Sequence, residues 1–354
     1  MPAFVAERGI PAAQLGLVIA AGTTVRLIAV PMVGRLADGL RNLRAVLFAC
    51  VVLAVAATLG YLPAETFAAF LAVSMLQAAA LAPAGVLADA LAVNAARGRF
   101  EYGWARGTGS AAFIAGVLVS GYAVASLGLG AIVWMQAWLL ACAALAALLV
   151  QEIPHPPRER KPHGVAATLL RDAGYRRLVL VAALVLGSHA VHDVFAMIRW
   201  RDAGIASGTA GLLWSAAVAA EVLVFFVLGP AILRRIAPGT AIAIACCAGV
   251  LRWAVMASTA ELAALALVQP LHGFTFALLH LSCMRLIAGH VPAGSEGTAQ
   301  AIYSTGAGCV TALLAAASGV LFERFDAHAF WGMALLCAAA LPLALSLRVS
   351  ARGS

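Results

Sequence analysis

The sequence predicts an all-α membrane protein whose helices cross the bilayer many times. Hydrophobic residues make up 64% of the 354 positions and charged residues only 11%, whereas a soluble domain carries about 25% charged residues. Apolar runs of about 20 residues, each able to span a hydrocarbon core of ~30 Å, recur along the whole chain. Backbone polar groups in lipid must pair within their own segment, so we interpret these runs as helices.

Eleven membrane spans are predicted. They cover residues 12–34, 43–62, 65–93, 105–126, 129–150, 176–198, 207–233, 239–258, 260–288, 297–320 and 327–347. The stretch 151–175 is the only long polar segment and is rich in proline and basic residues, as is typical of a surface linker. The sequence therefore predicts an N-terminal helix bundle over 1–150, a cytoplasmic linker over 151–175 and a C-terminal six-helix bundle over 176–354.

The arginines between the spans predict the orientation of the chain. One side carries Arg35, Arg41, Arg44, Arg158, Arg176, Arg177, Arg234 and Arg235. The opposite side carries only Arg8, Arg199, Arg201 and Arg324. Because basic loops stay in the cytoplasm, we expect a multi-pass protein of the inner (plasma) membrane with a cytoplasmic C-terminus. The net charge of +8 is spread over these short loops, so it indicates a lipid bilayer and not a nucleic acid as partner.

An internal repeat relates the two predicted bundles. An offset of 195 residues aligns Gly9-Ile10 with Gly204-Ile205, Gly16-Leu17 with Gly211-Leu212, and Gly34 with Gly229. Two homologous halves are the layout of large secondary transporters. In this register the span 176–198 has its counterpart before Met1, so we expect a missing first helix, from a start codon assigned too late or a shortened chain. The offset also places Arg26 and Glu221 at equivalent mid-membrane positions.

Ionisable residues inside the spans are the candidate functional residues, because each costs several kcal/mol in lipid unless it is paired or faces water. They are Arg26, Asp89, Arg106, His189, His192, Asp193, Glu221, Arg252, His272 and His280. Each buried arginine needs a carboxylate or an anionic solute nearby. This pattern favours a transporter over an enzyme.

Two groups of histidines differ in their predicted roles. His189, His192 and Asp193 lie on one helical face and could pass a proton, although packing histidines bonded to neighbouring groups would give the same pattern. His272, with Gln269 one turn before it, is the better functional candidate, and His280 is expected to support packing. The spacings are unspecific for a metal, and the single lysine, Lys161, lies in no phosphate-binding loop. We therefore expect no cofactor or metal, and a driving force that comes from an ion gradient, the solute gradient or a separate subunit.

One loop carries a family resemblance. Gly34-Arg35-Leu36-Ala37-Asp38, followed by Arg41 and Arg44, resembles the signature loop of the major facilitator superfamily, with Gly39 at a position that is usually basic. Within the superfamily the chain is most similar to the phenylpropionate-permease-like group, a relative of lactose permease. The segments that carry this likeness are Ala88-Asp89-Ala90-Leu91-Ala92, Ser188-His189, Ala220-Glu221-Val222 and Gln269-Pro270-Leu271-His272-Gly273-Phe274-Thr275-Phe276 with His280. The resemblance implies a two-bundle fold of twelve helices, of which eleven are visible here.

The resemblance also implies residue roles. Arg106 and, one residue out of register, Asp89 match the fifth-helix arginine and fourth-helix carboxylate that hold sugar in lactose permease. Phe113 matches its stacking tryptophan, and Glu221 matches its eighth-helix sugar-contacting glutamate. A separate pair, Arg252 and His272, matches its proton-coupling arginine and histidine. The proton-carrying glutamate of that permease is Thr275 here, so its proton site is incomplete in this chain.

These observations predict a monomeric, proton-coupled secondary transporter that moves a small organic solute, an aromatic acid or a sugar, by alternating access. The predicted solute-binding residues are Asp89, Arg106, Phe113, Glu221, His272 and Gln269. The predicted proton-coupling residues are Glu221, Asp193, His189, His192, Arg252 and His272, and the predicted gating loop contains Gly34, Asp38, Arg41 and Arg44. Two alternatives remain open: an integral-membrane enzyme with a histidine–acid site, and a non-transporting, facilitator-like sensor.

Overall fold

The computed structural model of the chain describes residues 1–40, 42–96, 102–150, 165–290 and 296–347, and every regular element in these ranges is a helix. The first seven helices are α1 (Pro2–Glu7), α2 (Ala12–Leu40), α3 (Leu43–Leu59), α4 (Phe67–Ala96), α5 (Tyr102–Leu127), α6 (Ala131–Leu149) and α7 (Val165–Arg171). The next five are α8 (Ala173–Gly187), α9 (Ala190–Asp202), α10 (Ser207–Leu223), α11 (Gly229–Leu233) and α12 (Pro238–Ser258). The last four are α13 (Leu262–Val268), α14 (Leu279–His290), α15 (Glu296–Phe325) and α16 (Ala329–Leu345).

Eight helical stretches in the described part of the chain are long and apolar enough to cross a membrane. They are Ala12–Ala37, Phe67–Ala88, Ala131–Leu149, Ala173–Asp202, Ser207–Leu233, Pro238–Ser258, Leu262–Ala288 and Thr298–Leu345. The last has 48 residues, about 72 Å as one helix, but a 3-10 turn at Asp326–His328 divides it into α15 and α16. Two shorter apolar helices, Leu43–Leu59 and Ala111–Leu127, lie elsewhere in the chain. A multi-pass helical membrane protein is confirmed, and eleven spans remain a prediction.

The chain forms two compact units, one with the described residues up to 150 and Ala206–Gly211, the other with the remaining described residues. In the first unit, α3 packs against α4 and α6, and α2 packs against α4. The buried apolar side chains of this core are Leu43, Val46, Leu47, Val51, Ala84, Leu87, Leu91, Ala144 and Ala147. Helix α7 lies within the segment 151–175, which the sequence predicts as a linker. A helix can form there because Val165–Arg171 contains no proline or glycine.

In the second unit, α12 packs closely along α16, and α8 packs against α15 and α16. Gly249 explains the tight α12–α16 packing, since a Cβ there would lie 2.5 Å from the Sγ of Cys337. Small residues at a contact let two membrane helices approach closely and gain packing energy. This approach fixes α12, which carries Arg252.

The helix of span 173–202 is interrupted at Ser188 and His189, between α8 and α9. The Ser188 hydroxyl donates to the carbonyl of Val185 at 2.6 Å, and His189 Nδ1 lies 3.1 Å from the same oxygen. Because these side chains occupy the Val185 carbonyl, the backbone N–H of His189 bonds to Leu186 instead, at 3.2 Å. Local side-chain bonding therefore breaks the helix and sets the direction of His189.

Two prolines account for the other irregular helices of this unit. Pro270 has no N–H to donate and its ring crowds the preceding turn; a 3-10 turn (Gln269–Leu271) and a π-helix (Gly273–Leu278) lie between α13 and α14. Pro230 is likewise preceded by a π-helix at Val224–Leu228, between α10 and α11. Such π segments are frequent at functional sites, and here one directly follows His272 and the other begins three residues after Glu221.

Gly273 allows the backbones of two of these irregular helices to meet. A Cβ at Gly273 would lie 2.7 Å from the carbonyl oxygen of Ala220 and 2.9 Å from Cγ2 of Val224. Ala220 and Gly273 directly neighbour Glu221 and His272 in sequence. The close approach therefore brings those two side chains within reach of each other.

We predict that Gly273→Ala lowers the free energy of unfolding by about 1–3 kcal/mol, the usual cost of overpacking, because its methyl group meets the rigid backbone of Ala220. Gly332→Ala is the matched control, since a Cβ there meets no atom within 4 Å. Thermal unfolding of both variants in detergent checks this. A Gly273→Ala protein as stable as Gly332→Ala would contradict the proposed close packing.

Candidate functional site

The centre of the polar site is the guanidinium of Arg252 on α12, whose side chain is fully buried. Its Nη1 donates to Nδ1 of His272 at 3.1 Å, and its Nη2 donates to Nε2 of His192 at 3.2 Å. Nη2 also donates to Oε1 of Gln269 at 2.8 Å, and the guanidinium lies over the ring of Trp253, 4.5 Å from its centroid. An arginine at the centre of a membrane helix costs about 2.5–3.5 kcal/mol, and a hydrogen bond to a charged group contributes about 1.5–3 kcal/mol. Three acceptors therefore offset much of the cost of burial, while the Nε of Arg252 has no hydrogen-bond partner among the described residues.

Each of the two imidazoles connects Arg252 to a carboxylate. His272 Nε2 lies 3.2 Å from Oε2 of Glu221 on α10, and His192 Nδ1 lies 3.1 Å from Oδ1 of Asp193 on α9. Arg252 thus forms a fork in the hydrogen-bond network. One branch runs through His192 to Asp193, and the other runs through His272 to Glu221. All five side chains belong to the second unit.

The two carboxylates differ in exposure. The Asp193 side chain is 54% exposed, whereas its partner His192 is only 4% exposed. The Glu221 side chain is 24% exposed and that of His272 is 18% exposed. The acids therefore form the open ends of the cluster, and Arg252 forms its closed end.

His189 belongs to a separate branch of the site. Its Nδ1 donates to the carbonyl of Val185, and its Nε2 lies 3.0 Å from the hydroxyl of Thr275. Thr275 is fully buried and also lies 3.2 Å from the carbonyl oxygen of His272. A neutral His189 can accept a hydrogen bond from the threonine hydroxyl at this nitrogen. Thr275, which stands where lactose permease has its proton-carrying glutamate, is thus hydrogen-bonded to an imidazole.

Aromatic rings surround the rest of the cluster. Trp214 on α10 stacks on His192, with 4.8 Å between ring centroids and 25° between planes. Phe276 stacks on His272 at 5.6 Å. The Trp253 indole donates to the hydroxyl of Ser188 at 2.9 Å. These rings shield the hydrogen bonds of the cluster and leave apolar surface beside the two acids.

Trp214 and Trp253 belong to the site but are not among the residues predicted from the sequence. Trp214 precedes Glu221 by seven residues, two helical turns, so helical spacing alone places it on the same face. Trp253 follows Arg252 directly, and nothing in the sequence distinguishes it from the other apolar residues of that span. His280, expected to support packing, lies beside the rings of Phe225 and Tyr303 at 5.9 and 6.3 Å.

The candidates of the N-terminal bundle lie in the first unit. The exposed Arg26 lies 14 residues after Ala12, the start of α2, and Glu221 lies 14 residues after Ser207, the start of α10. Phe113 on α5 is 50% exposed, and Gly34 lies in α2 with Arg44 at the start of α3. Arg41 lies outside the described residues, as do the side chains of Asp38, Asp89 and Arg106.

The chain is similar to known transporters. The MFS_1 like family matches residues 1–333. The chain is 33% identical to a probable 3-phenylpropionic acid transporter of Escherichia coli K12, over 72% of this chain and 68% of that protein. Its fold is similar to the crystal structure of the nucleoside transporter NupG, with TM-score 0.81, 17% identity and coverage of 96% of this chain and 90% of that one. It is also similar to the human organic anion transporter MFSD10, with TM-score 0.59, 18% identity and coverage of 96% and 87%.

We predict that Gln269→Leu lowers the free energy of unfolding by about 1.5–3 kcal/mol, because it removes the carbonyl that accepts a charged hydrogen bond from Arg252. Gln269→Glu keeps an acceptor of nearly the same shape and should retain most of the stability. Thermal unfolding of both variants in the same detergent checks this. Equal losses in the two variants would contradict the role of Gln269 as the acceptor for Arg252.

Proposed function

The chain belongs to the MFS_1 like family, and we propose that it couples the uptake of a small organic acid to protons by alternating access. The family, the E. coli relative and the fold identify it as a secondary transporter and not an enzyme. The observation that carries the proposal is the fork of two histidine–carboxylate pairs on Arg252.

The carboxylates are the groups that link proton and solute. An anionic solute that approaches the open end of the cluster meets the partly exposed acids Asp193 and Glu221, which repel it while they are ionised. Protonation of either acid removes a negative charge, so the proton and the anion favour each other's binding. Linkage makes this effect equal in both directions, and the sign is that of a symporter.

An aromatic acid fits the site better than a sugar does. The relative at 33% identity bears the name of a phenylpropionic acid transporter, and phenylpropionate combines an apolar ring with one carboxylate. In the second unit the rings of Trp214 and Phe276 lie next to the histidines that hold the acids. We propose that these rings contact the solute ring. Phe113, Asp89 and Arg106 of the first unit remain predicted solute-binding residues.

The inner membrane is the proposed location, with the linker and the C-terminus in the cytoplasm, because the arginines cluster on that side. In this orientation an inward proton gradient drives accumulation of the solute. Gly34, Asp38, Arg41 and Arg44 are the proposed gating loop. Arg44 donates to the carbonyl of Val150 at 3.5 Å, which ties the start of α3 to the end of α6.

We predict that proteoliposomes containing the wild-type protein accumulate 3-phenylpropionate when the outside is more acidic than the inside. Glu221→Gln fixes this acid in a neutral form, so accumulation should fall at least tenfold while exchange of labelled for unlabelled solute continues. Glu323→Gln, at an exposed position of α15, is the matched control and should behave as wild type. The absence of gradient-dependent accumulation by the wild type of any aromatic acid tested would contradict proton coupling.

A further inference from the structure

His192 and His272 receive hydrogen bonds from one and the same guanidinium. Arg252 Nη2 lies 3.2 Å from Nε2 of His192, and Arg252 Nη1 lies 3.1 Å from Nδ1 of His272. The two rings therefore face the arginine through different nitrogens: Nε2 in one ring and Nδ1 in the other. Each ring turns its remaining nitrogen to a carboxylate.

The donor and acceptor inventory fixes the protons on both rings. A guanidinium has five N–H donors and no acceptor, and it stays protonated in proteins. The ring nitrogen that faces Arg252 must therefore be the unprotonated one. His192 then carries its proton on Nδ1 and donates to Asp193, and His272 carries its proton on Nε2 and donates to Glu221.

A second proton on either ring is opposed by the same contacts. It would place a ring N–H against an N–H of Arg252, with the two nitrogens little more than 3 Å apart, and put a second positive charge beside the fully buried guanidinium. The acids have no such obstacle, since a protonated carboxyl group still offers an oxygen to the ring N–H. A second proton is thus excluded from each of the two rings, whereas each of the two acids can take one.

The groups around each ring are consistent with this distribution. His192 faces Asp193 on its own helix, Arg252 on α12, Gln269 before Pro270, and the indoles of Trp214, Trp200 and Trp253. His272 faces Arg252, Glu221, the ring of His189 at 5.3 Å and Phe276, with Asp193 and His192 within electrostatic range. His280 lies within electrostatic range of Glu221. The arginine is the permanent charge in direct contact with both rings.

We infer that Arg252 holds His192 and His272 as neutral rings of opposite tautomers, so that Asp193 and Glu221 take the transported proton and the rings only position these acids. The part of this inference that concerns transport rests on the proposed proton coupling. The part that concerns the tautomers rests on the hydrogen bonds alone. The inference makes Asp193 a second protonation site. Asp193 is connected to Arg252 through His192, just as Glu221 is connected to Arg252 through His272.

Nitrogen NMR of the protein in lipid vesicles, with ¹⁵N-labelled histidine, tests the tautomers directly. The His192 signals are identified from their loss in His192→Gln, and those of His272 from their loss in His272→Gln. Between pH 5 and pH 8 we expect the Nδ1–H form for His192 and the Nε2–H form for His272, without titration of either. A doubly protonated ring within this range, or the same tautomer in both rings, would overturn the inference.

Glutamine variants test whether the rings carry the proton. The glutamine carbonyl can accept from Arg252 and its amide can donate to the acid, so it replaces both ring nitrogens without a titratable group. We expect His192→Gln to retain at least half of the gradient-driven uptake of 3-phenylpropionate, and His192→Leu to lose at least tenfold. His328→Gln, at an exposed turn, is the control.

The outcomes distinguish a failure of the inference from a failure of the proposed proton coupling. If His192→Gln keeps solute exchange but loses gradient-driven uptake, the ring carries the proton and the inference is wrong. If the wild type shows no proton-driven uptake, the proposed coupling is wrong, while the NMR result still decides the tautomers. If His192→Leu cannot be purified, the wild-type spectra and the His192→Gln transport data remain sufficient.

Discussion

A permanently charged arginine inside an apolar helix unit is the constraint on which the second unit depends. Arg252 cannot shed its proton and cannot reach water, so the surrounding helices must supply acceptors. They do so from three directions: His192 on α9, His272 between α13 and α14, and Gln269 one turn before it. Each acceptor must be held within about 3 Å, and this requirement explains much of the irregular backbone nearby.

The helix interruptions follow from that requirement. Gln269 and His272 reach one guanidinium from the segment whose backbone also meets Ala220. This segment contains the 3-10 turn and the π-helix on either side of His272, next to Pro270 and Gly273. The break at Ser188 and His189 likewise lets α9 start in its own direction and carry His192 to Arg252. The irregular turns are therefore part of the site and not defects of the fold.

The helical class and the main candidates could be predicted from the sequence because apolar run length and charge inside those runs are local signals. His189, His192 and Asp193 were predicted on one helical face, but in the structure the two histidines bind different partners. His192 bonds to Arg252 and Asp193, whereas His189 turns to Thr275. Partners on other helices, such as Trp214, depend on packing that no single span reveals. The π segments depend on prolines whose effect is visible only once neighbouring helices are in place.

We propose that this transporter moves an anion and a proton together through the two acids attached to Arg252. The most direct measurement records the external pH of weakly buffered proteoliposomes when 3-phenylpropionate is added without any imposed gradient. We expect the external medium to become more alkaline as the solute enters, and Glu221→Gln to abolish this change while Glu323→Gln does not. Entry of labelled solute with no change in external pH would contradict it.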